Sequence, residues 1–335
     1  MAHALVRRLA WLSILVLGTS ARAQEVGSRV PEAAVDSGGS LPASSPPSDQ
    51  PQATAPGELA SEMPPLDFFD RFVATFSQKE DPDGPINTDR PTFTPANTVV
   101  PPGRLQFESG FTYNRQQSST TSNNLYDLPE LAMRYGLMDR VEFRIFWEGP
   151  TIASPPSSRG RRGTRLGGGS DMEVGIKWQL FAGDKDRKWI PTTALITSAI
   201  APTGGNSPLS SGVAEPYINL IYGWGLSEKL TLAGSTGYLG MRQQPVPASH
   251  LPADSFQRFH QSVVAFYTVG KRTTLFYEWY VLMYTNATNN LPNHFMDGGV
   301  LYRLTPNIQI DLRAGFGLSG RPDDFFTGTG VSFRF

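Results

Sequence analysis

Few residues in this chain are equipped for bond-making chemistry. It has four histidines and no cysteine, so a disulfide framework or a thiolate metal site is excluded. His260 lies two residues before Ser262. On an extended strand that spacing puts base and hydroxyl on one face, the first requirement of a base-activated nucleophile. The chemistry also needs a third group to orient the base and a turn that presents the nucleophile, and neither is legible around Ser262. His294 follows Asn293, with no partner at metal-ligand spacing. GTRLGGGS lacks the Gly-Lys-Ser/Thr ending and the following helix of a phosphate loop. No catalytic residue, metal site or cofactor is predicted.

The remaining polar chemistry is charge at regular intervals. In VEFRIFW, Val141, Phe143, Ile145 and Trp147 alternate with Glu142 and Arg144. In DMEVGIKWQL the alternating charges are Glu173 and Lys177, and in NIQIDLRAGFGL they are Asp311 and Arg313. Period two with one apolar face marks strands, and charge confined to the other face gives that face a different neighbour. The same assignment puts Glu108, Glu130, Arg134, Glu278, Asp297, Arg303 and Arg334 with Glu142, Arg144, Glu173, Lys177, Asp311 and Arg313 on the inner face. Such a set either selects a permeant or fills a narrow interior with ion pairs.

The elements that must position these charges begin far from the N-terminus. Arg7 and Arg8, the apolar run Leu9 to Gly18 and Ala21-Arg22-Ala23 predict a secretory signal peptide over 1–23. Residues 24–65 are rich in Pro, Ser and Ala and too poor in large apolar groups to offset ordering entropy, so they read as a disordered linker. Residues 66–103 form a lead-in. Leu66, Phe69, Val73 and Phe76 share a helical face. INTDRPTFTPANTVVPPG then carries Asp89 and Arg90, and it either enters the barrel mouth as a plug that meets lumen charges or touches nothing.

From Arg104 twelve strands are predicted, near 104–116, 124–137, 139–149, 170–182, 190–202, 212–224, 228–241, 257–270, 273–285, 293–304, 307–318 and 323–335. Tight links such as Leu137 to Arg140 and Thr305-Pro306 alternate with long polar ones such as GPTIASPPSSRGRRGTRLGGGS. An even strand number with short turns at one end and long loops at the other is the transmembrane β-barrel signature. The fold class is therefore all-β, an antiparallel barrel over 104–335 with a disordered N-terminal arm. ITSAI, YINLIY and SVVAFY are apolar on both faces, so their register stays open. Pro129 and Pro216 must sit at a rim or bulge, here the outer rim. The closing GTGVSFRF alternates Val331, Phe333 and Phe335 outward and stops on the aromatic, as in the signal read by the barrel assembly machinery. Arg159, Arg161, Arg162 and Arg165 fall in a long outer loop, either binding anionic head groups, gathering anionic solutes or simply solvated.

Thr88-Asp89-Arg90-Pro91, Pro102-Gly103-Arg104, Leu128-Pro129-Glu130-Leu131 and Arg134-Tyr135-Gly136-Leu137 together resemble the outer-membrane transporter family named for the meta-pathway of phenol degradation, from about residue 86 to the end. The resemblance implies transport of small hydrophobic or aromatic compounds and no catalytic residues. Expected partners are outer-membrane lipid, the assembly machinery and a small permeant. A net charge of −1 argues against nucleic acid. The expectation is a channel or transporter in the outer membrane of a Gram-negative-type bacterium, with its N-terminal arm in the periplasm. A non-conducting scaffold is the alternative. An outer-membrane phospholipase would need His260 and Ser262 on the lipid face.

Overall fold

The computed structural model describes residues 84–117, 122–154, 166–183, 189–207, 209–243, 254–285, 292–318 and 325–335. The signal peptide, the linker, the helical face over 66–76 and the arginines of 159–165 lie outside them. Fourteen strand segments follow one another: β1 (Leu105–Gln117), β2 (Ser122–Met138), β3 (Val141–Trp147), β4 (Pro150–Ser154), β5 (Leu166–Gly169), β6 (Met172–Phe181) and β7 (Thr192–Ala201). The second half holds β8 (Glu215–Gly225), β9 (Leu230–Gln243), β10 (Asp254–Val269), β11 (Thr273–Thr285), β12 (Asn293–Thr305), β13 (Ile308–Gly317) and β14 (Phe325–Arg334). Because β3 and β4 both pair with β2, and β5 and β6 continue one another opposite them, the segments make twelve antiparallel staves.

Pairing of β1 with both β2 and β14 closes the sheet. Closure leaves no free edge, which a bilayer requires of any strand that crosses it. It runs to the last residue: the Phe335 amide donates to the Leu105 carbonyl at 2.8 Å, and the Leu105 amide donates back at 3.2 Å.

The third and fourth staves extend into a stretch predicted as loop, where β4 and β5 pair over Pro150–Gly169 to Ala153–Leu166. Proline and the Gly167–Gly169 run carry no strand signal, yet they fit here because the stave breaks beside them. Gly149 sits at φ 72°, and a Cβ there would lie 2.0 Å from the Pro129 carbonyl oxygen. Only glycine takes that conformation and that approach. Pro129 itself falls in the β1–β2 register shift between Gly110 and Thr112, a bulge seven residues inside β2 rather than at the rim. The bulge advances the inward alternation from Asp127 to Glu130. Pro216 is the second residue of β8, at the rim.

The three ambiguous strands acquire a register. β7 turns Ala194, Ile196 and Ile200 inward, β8 turns in Glu215, Tyr217, Asn219 and Ile221, and β10 turns in Phe256, Arg258, His260, Ser262 and Val264. Their other faces expose Ile218, Leu220, Phe259 and Val263. With Phe107, Leu131, Trp178, Leu275, Leu312 and Phe333 these form an apolar outer belt. Such a belt matches the hydrocarbon band of a membrane barrel.

Candidate functional site: a loop inside the barrel

Residues 84–103 enter and leave the barrel at its tight-turn end. On entry the Ile86 amide donates to Pro306 at 2.8 Å, and the Gly84 carbonyl accepts from Arg334. On exit the Gly103 amide donates to Gly136 at 2.8 Å, beside a bridge between Pro102 and Gly136. Local chemistry explains how so irregular a stretch can be buried. The hydroxyls of Thr88 and Thr92 each donate to the carbonyl two residues on, at 2.6 Å, and the Ala96 amide donates to Asp89 Oδ1 at 3.0 Å. Prolines at 91 and 95 remove donors that would otherwise need partners.

Asp89 gathers cations from three adjacent staves. Its carboxylate lies 3.3 Å from Arg134 on β2, 3.0 Å from Arg144 on β3 and 2.9 Å from Lys177 on β6. Burial alone would raise its pKa, but the three opposing charges hold it well below the usual carboxylate range. Arg134 in turn pairs with Glu108 at 3.1 Å and Glu142 at 2.8 Å, and Lys177 reaches Glu142 at 3.4 Å. Arg144 lies 3.9 Å from Glu173.

Arg90 points to the other side of the network. Its guanidinium meets Glu130 at 2.6 Å and Asp311 at 3.3 Å, and donates to the Thr329 carbonyl at 3.0 Å. It fits because Gly110 and Gly330 are paired across β1 and β14. A Cβ on Gly110 would lie 2.2 Å from Arg90 Cζ, and one on Gly330 would lie 2.3 Å from Nε. The two glycines form a socket for this side chain.

The loop tip is held by Glu278 on β11, whose oxygens accept the Phe93 amide at 2.6 Å, the Thr94 amide at 2.7 Å and the Thr94 hydroxyl at 2.6 Å. Arg313 donates to the Pro91 carbonyl at 2.9 Å. Asp297, Arg303 and Arg334 face inward without joining the Asp89–Arg90 network. Asp297 sits opposite Glu278 in the β11–β12 register, Arg334 donates to Asn307, and Arg303 faces a cavity at the tight-turn end.

Toward the long-loop end the interior changes character. Ile196, Tyr217, Ile221, Leu239, Phe256, Tyr280, Leu282, Tyr284, Phe295 and Phe326 form one buried cluster. Phe93 of the loop packs against it, stacked on Tyr280 at 4.4 Å and edge-on to His260 at 5.1 Å. The barrel thus holds an ionic network on one flank and an aromatic cluster on the other, with the loop between them.

A family model described as "Putative MetA-pathway of phenol degradation" matches residues 88–335, from the lumenal loop to the last residue. The chain belongs to this family. No curated protein sequence matches it. Among solved structures, an outer-membrane channel of Pseudomonas putida F1 is similar over 73% of this chain and 100% of that one, at 13% identity and TM-score 0.60. The β-domain of the Bordetella autotransporter BrkA (11% identity, 69% and 99% covered, TM-score 0.47) and the NanC porin (14%, 68% and 98%, TM-score 0.40) are further matches. The Pseudomonas putida likeness is one of fold, and with the closed sheet and apolar belt it makes this member of the family a twelve-stave β-barrel of the outer-membrane type.

In this family member His260 and Ser262 point into the barrel, away from the lipid face that a phospholipase would need. The Ser262 hydroxyl is engaged with Thr94 at 2.7 Å and Ser235 at 2.8 Å, while His260 Nε2 meets Asn219 at 3.2 Å. Sequence reasoning missed Phe93, the Gly110–Gly330 socket and the aromatic cluster. A Thr-x-x-x-Thr-x-Thr run over 88–94 was the available sign of a loop that caps its own carbonyls. The socket had none, because its glycines meet only through the register.

Proposed function

We propose that this barrel passes small solutes across the outer membrane and that residues 84–103 act as a plug that must shift for passage. The observation that carries the proposal is the loop's attachment through side chains instead of a ladder: Asp89 and Arg90, the Glu108 carboxylate that accepts their amides and the Glu278 contacts fasten it to β1, β2, β3, β6, β11 and β13. Charge pairs and single hydrogen bonds of this kind can be exchanged for water one at a time, whereas a strand in the sheet cannot leave without opening it. The Pseudomonas putida relative is named an outer-membrane channel, which supports the same reading. In this orientation the tight turns and the N-terminal arm face the periplasm.

The permeant class we infer is small, hydrophobic or aromatic. The family's name and the aromatic cluster around Phe93, Tyr280 and Phe295 support it. Partners on this reading are outer-membrane lipid, the assembly machinery engaging Val331, Phe333 and Phe335, and the permeant itself. Liposome swelling tests it: aromatic alcohols should enter faster than sugars of equal size, and equal rates would remove the aromatic preference.

A second reading has its own support. Inward-facing Glu142, Lys177, Ile196, Arg258, Leu282 and Glu278 are all 0% exposed, as in a barrel filled for stability and used as a structural or surface-binding scaffold. Swelling rates no higher than those of empty liposomes, from protein shown to be folded and inserted, favour this scaffold.

A further inference from the structure

Between the loop and the wall that runs from β7 to β14, at the tight-turn end, lies a cavity of about 570 Å³. That is within the roughly 300–1,000 Å³ of small-molecule sites. Among the described residues its lining includes Arg90, Arg303 and Arg334 and no aspartate or glutamate. This is a departure from the ionic flank, where acids and bases interleave. Asp89 of the loop, with Glu108 and Glu173 of the wall, lines a separate space of about 60 Å³ on the other side of the loop.

The three guanidinium groups differ in how they are used. Arg90 is committed to Glu130 and Asp311, and Arg334 donates to Asn307 and Gly84. The Arg303 Nε is buried and meets no acceptor among the described residues. The side chain as a whole is half-buried, and a guanidinium with one buried donor unmet attracts an anion. Beside it on the wall are the hydroxyls of Thr268 and Thr274 and the apolar faces of Phe266 and Leu301. Gly223 and Gly225 contribute no side chain to the opposite side.

We propose that this cavity binds small organic anions with an apolar body, the carboxylate on Arg303 and the body against Phe266 and Leu301. Guanidinium is suited to a planar carboxylate, and the hydroxyls can complete its hydrogen bonds. The inference adds a charge preference to the solute passage proposed above. Binding is measurable on a folded barrel that passes nothing, so the two can fail separately.

The test is ¹⁹F line broadening of 4-fluorobenzoate by the folded full chain in detergent micelles, against 4-fluorobenzyl alcohol and protein-free micelles. The expected result is saturable broadening of the benzoate above the micelle background and none of the alcohol. Arg303→Gln, verified as folded by heat-modifiable gel mobility, should weaken benzoate binding about tenfold or more, with Arg303→Lys intermediate. Equal broadening of acid and alcohol, no saturable broadening, or unchanged affinity in folded Arg303→Gln would overturn the proposal. The acid-versus-alcohol comparison needs no variant.

Discussion

Asp89 is one carboxylate facing three cations, so its removal leaves Arg134, Arg144 and Lys177 buried with less compensation. Breaking a buried pair from one side costs roughly 3–5 kcal/mol. Asp89→Asn is therefore expected to release the loop, seen as faster hydrogen exchange at the Phe93 and Thr94 amides with the barrel strands still protected. The pH dependence has a defined sign. A carboxyl whose folded pKa lies below its unfolded value stabilises fully above the unfolded value, about 4, and loses that contribution as pH falls toward the folded one. The extra loop exchange of Asp89→Asn over wild type, compared at equal pH, should therefore stay constant from neutral pH to about 4 and shrink only below. Gly110→Ala tests the socket, since a Cβ 2.2 Å from Arg90 Cζ must displace the guanidinium from Glu130 and Asp311. Loop exchange should rise there too, and an unchanged rate would mean that Arg90 does not fasten the loop.

The staves show which elements a sequence discloses and why. Glu142, Arg144, Glu173 and Lys177 alternate with apolar residues because their strands face ions on one side and lipid on the other, so periodicity alone reads their faces. β7, β8 and β10 border the aromatic cluster, and Ile196 inside is chemically no different from Ile218 outside. Only the ladder separates them. The β3–β4 and β5–β6 breaks were hidden for another reason: Gly149 and Pro150 are turn residues by type, and here they sit where a stave breaks and continues. The lipid-facing assignment carries its own prediction. Leu312 on β13 is exposed in the apolar belt between inward Asp311 and Arg313. Leu312→Arg should lower refolding stability in lipid by about 2–4 kcal/mol, measured by guanidinium titration. A loss near zero would place that position outside the hydrocarbon.

At the scale of the whole molecule, a closed sheet and an apolar belt set the barrel in the membrane, and the interior decides what it does there. One flank fastens the loop by charge, the other supports its Phe93 by aromatic contact, and an arginine-lined cavity lies at the end where the chain enters. The loop was visible in the sequence as a patterned Thr-Pro segment, but its place between the flanks was not, because contacts that set it, such as those to Glu278 and Asp311, are distant in the chain. The central proposal is that the loop limits passage. The most direct measurement is planar-bilayer conductance of the refolded chain beside a version that starts at Arg104. The account predicts small or rare steps for the full chain and larger, persistent ones for the shortened barrel. Equal conductance in both would contradict the plug, and silence in both, from protein shown to be folded and inserted, would contradict an ion-conducting lumen.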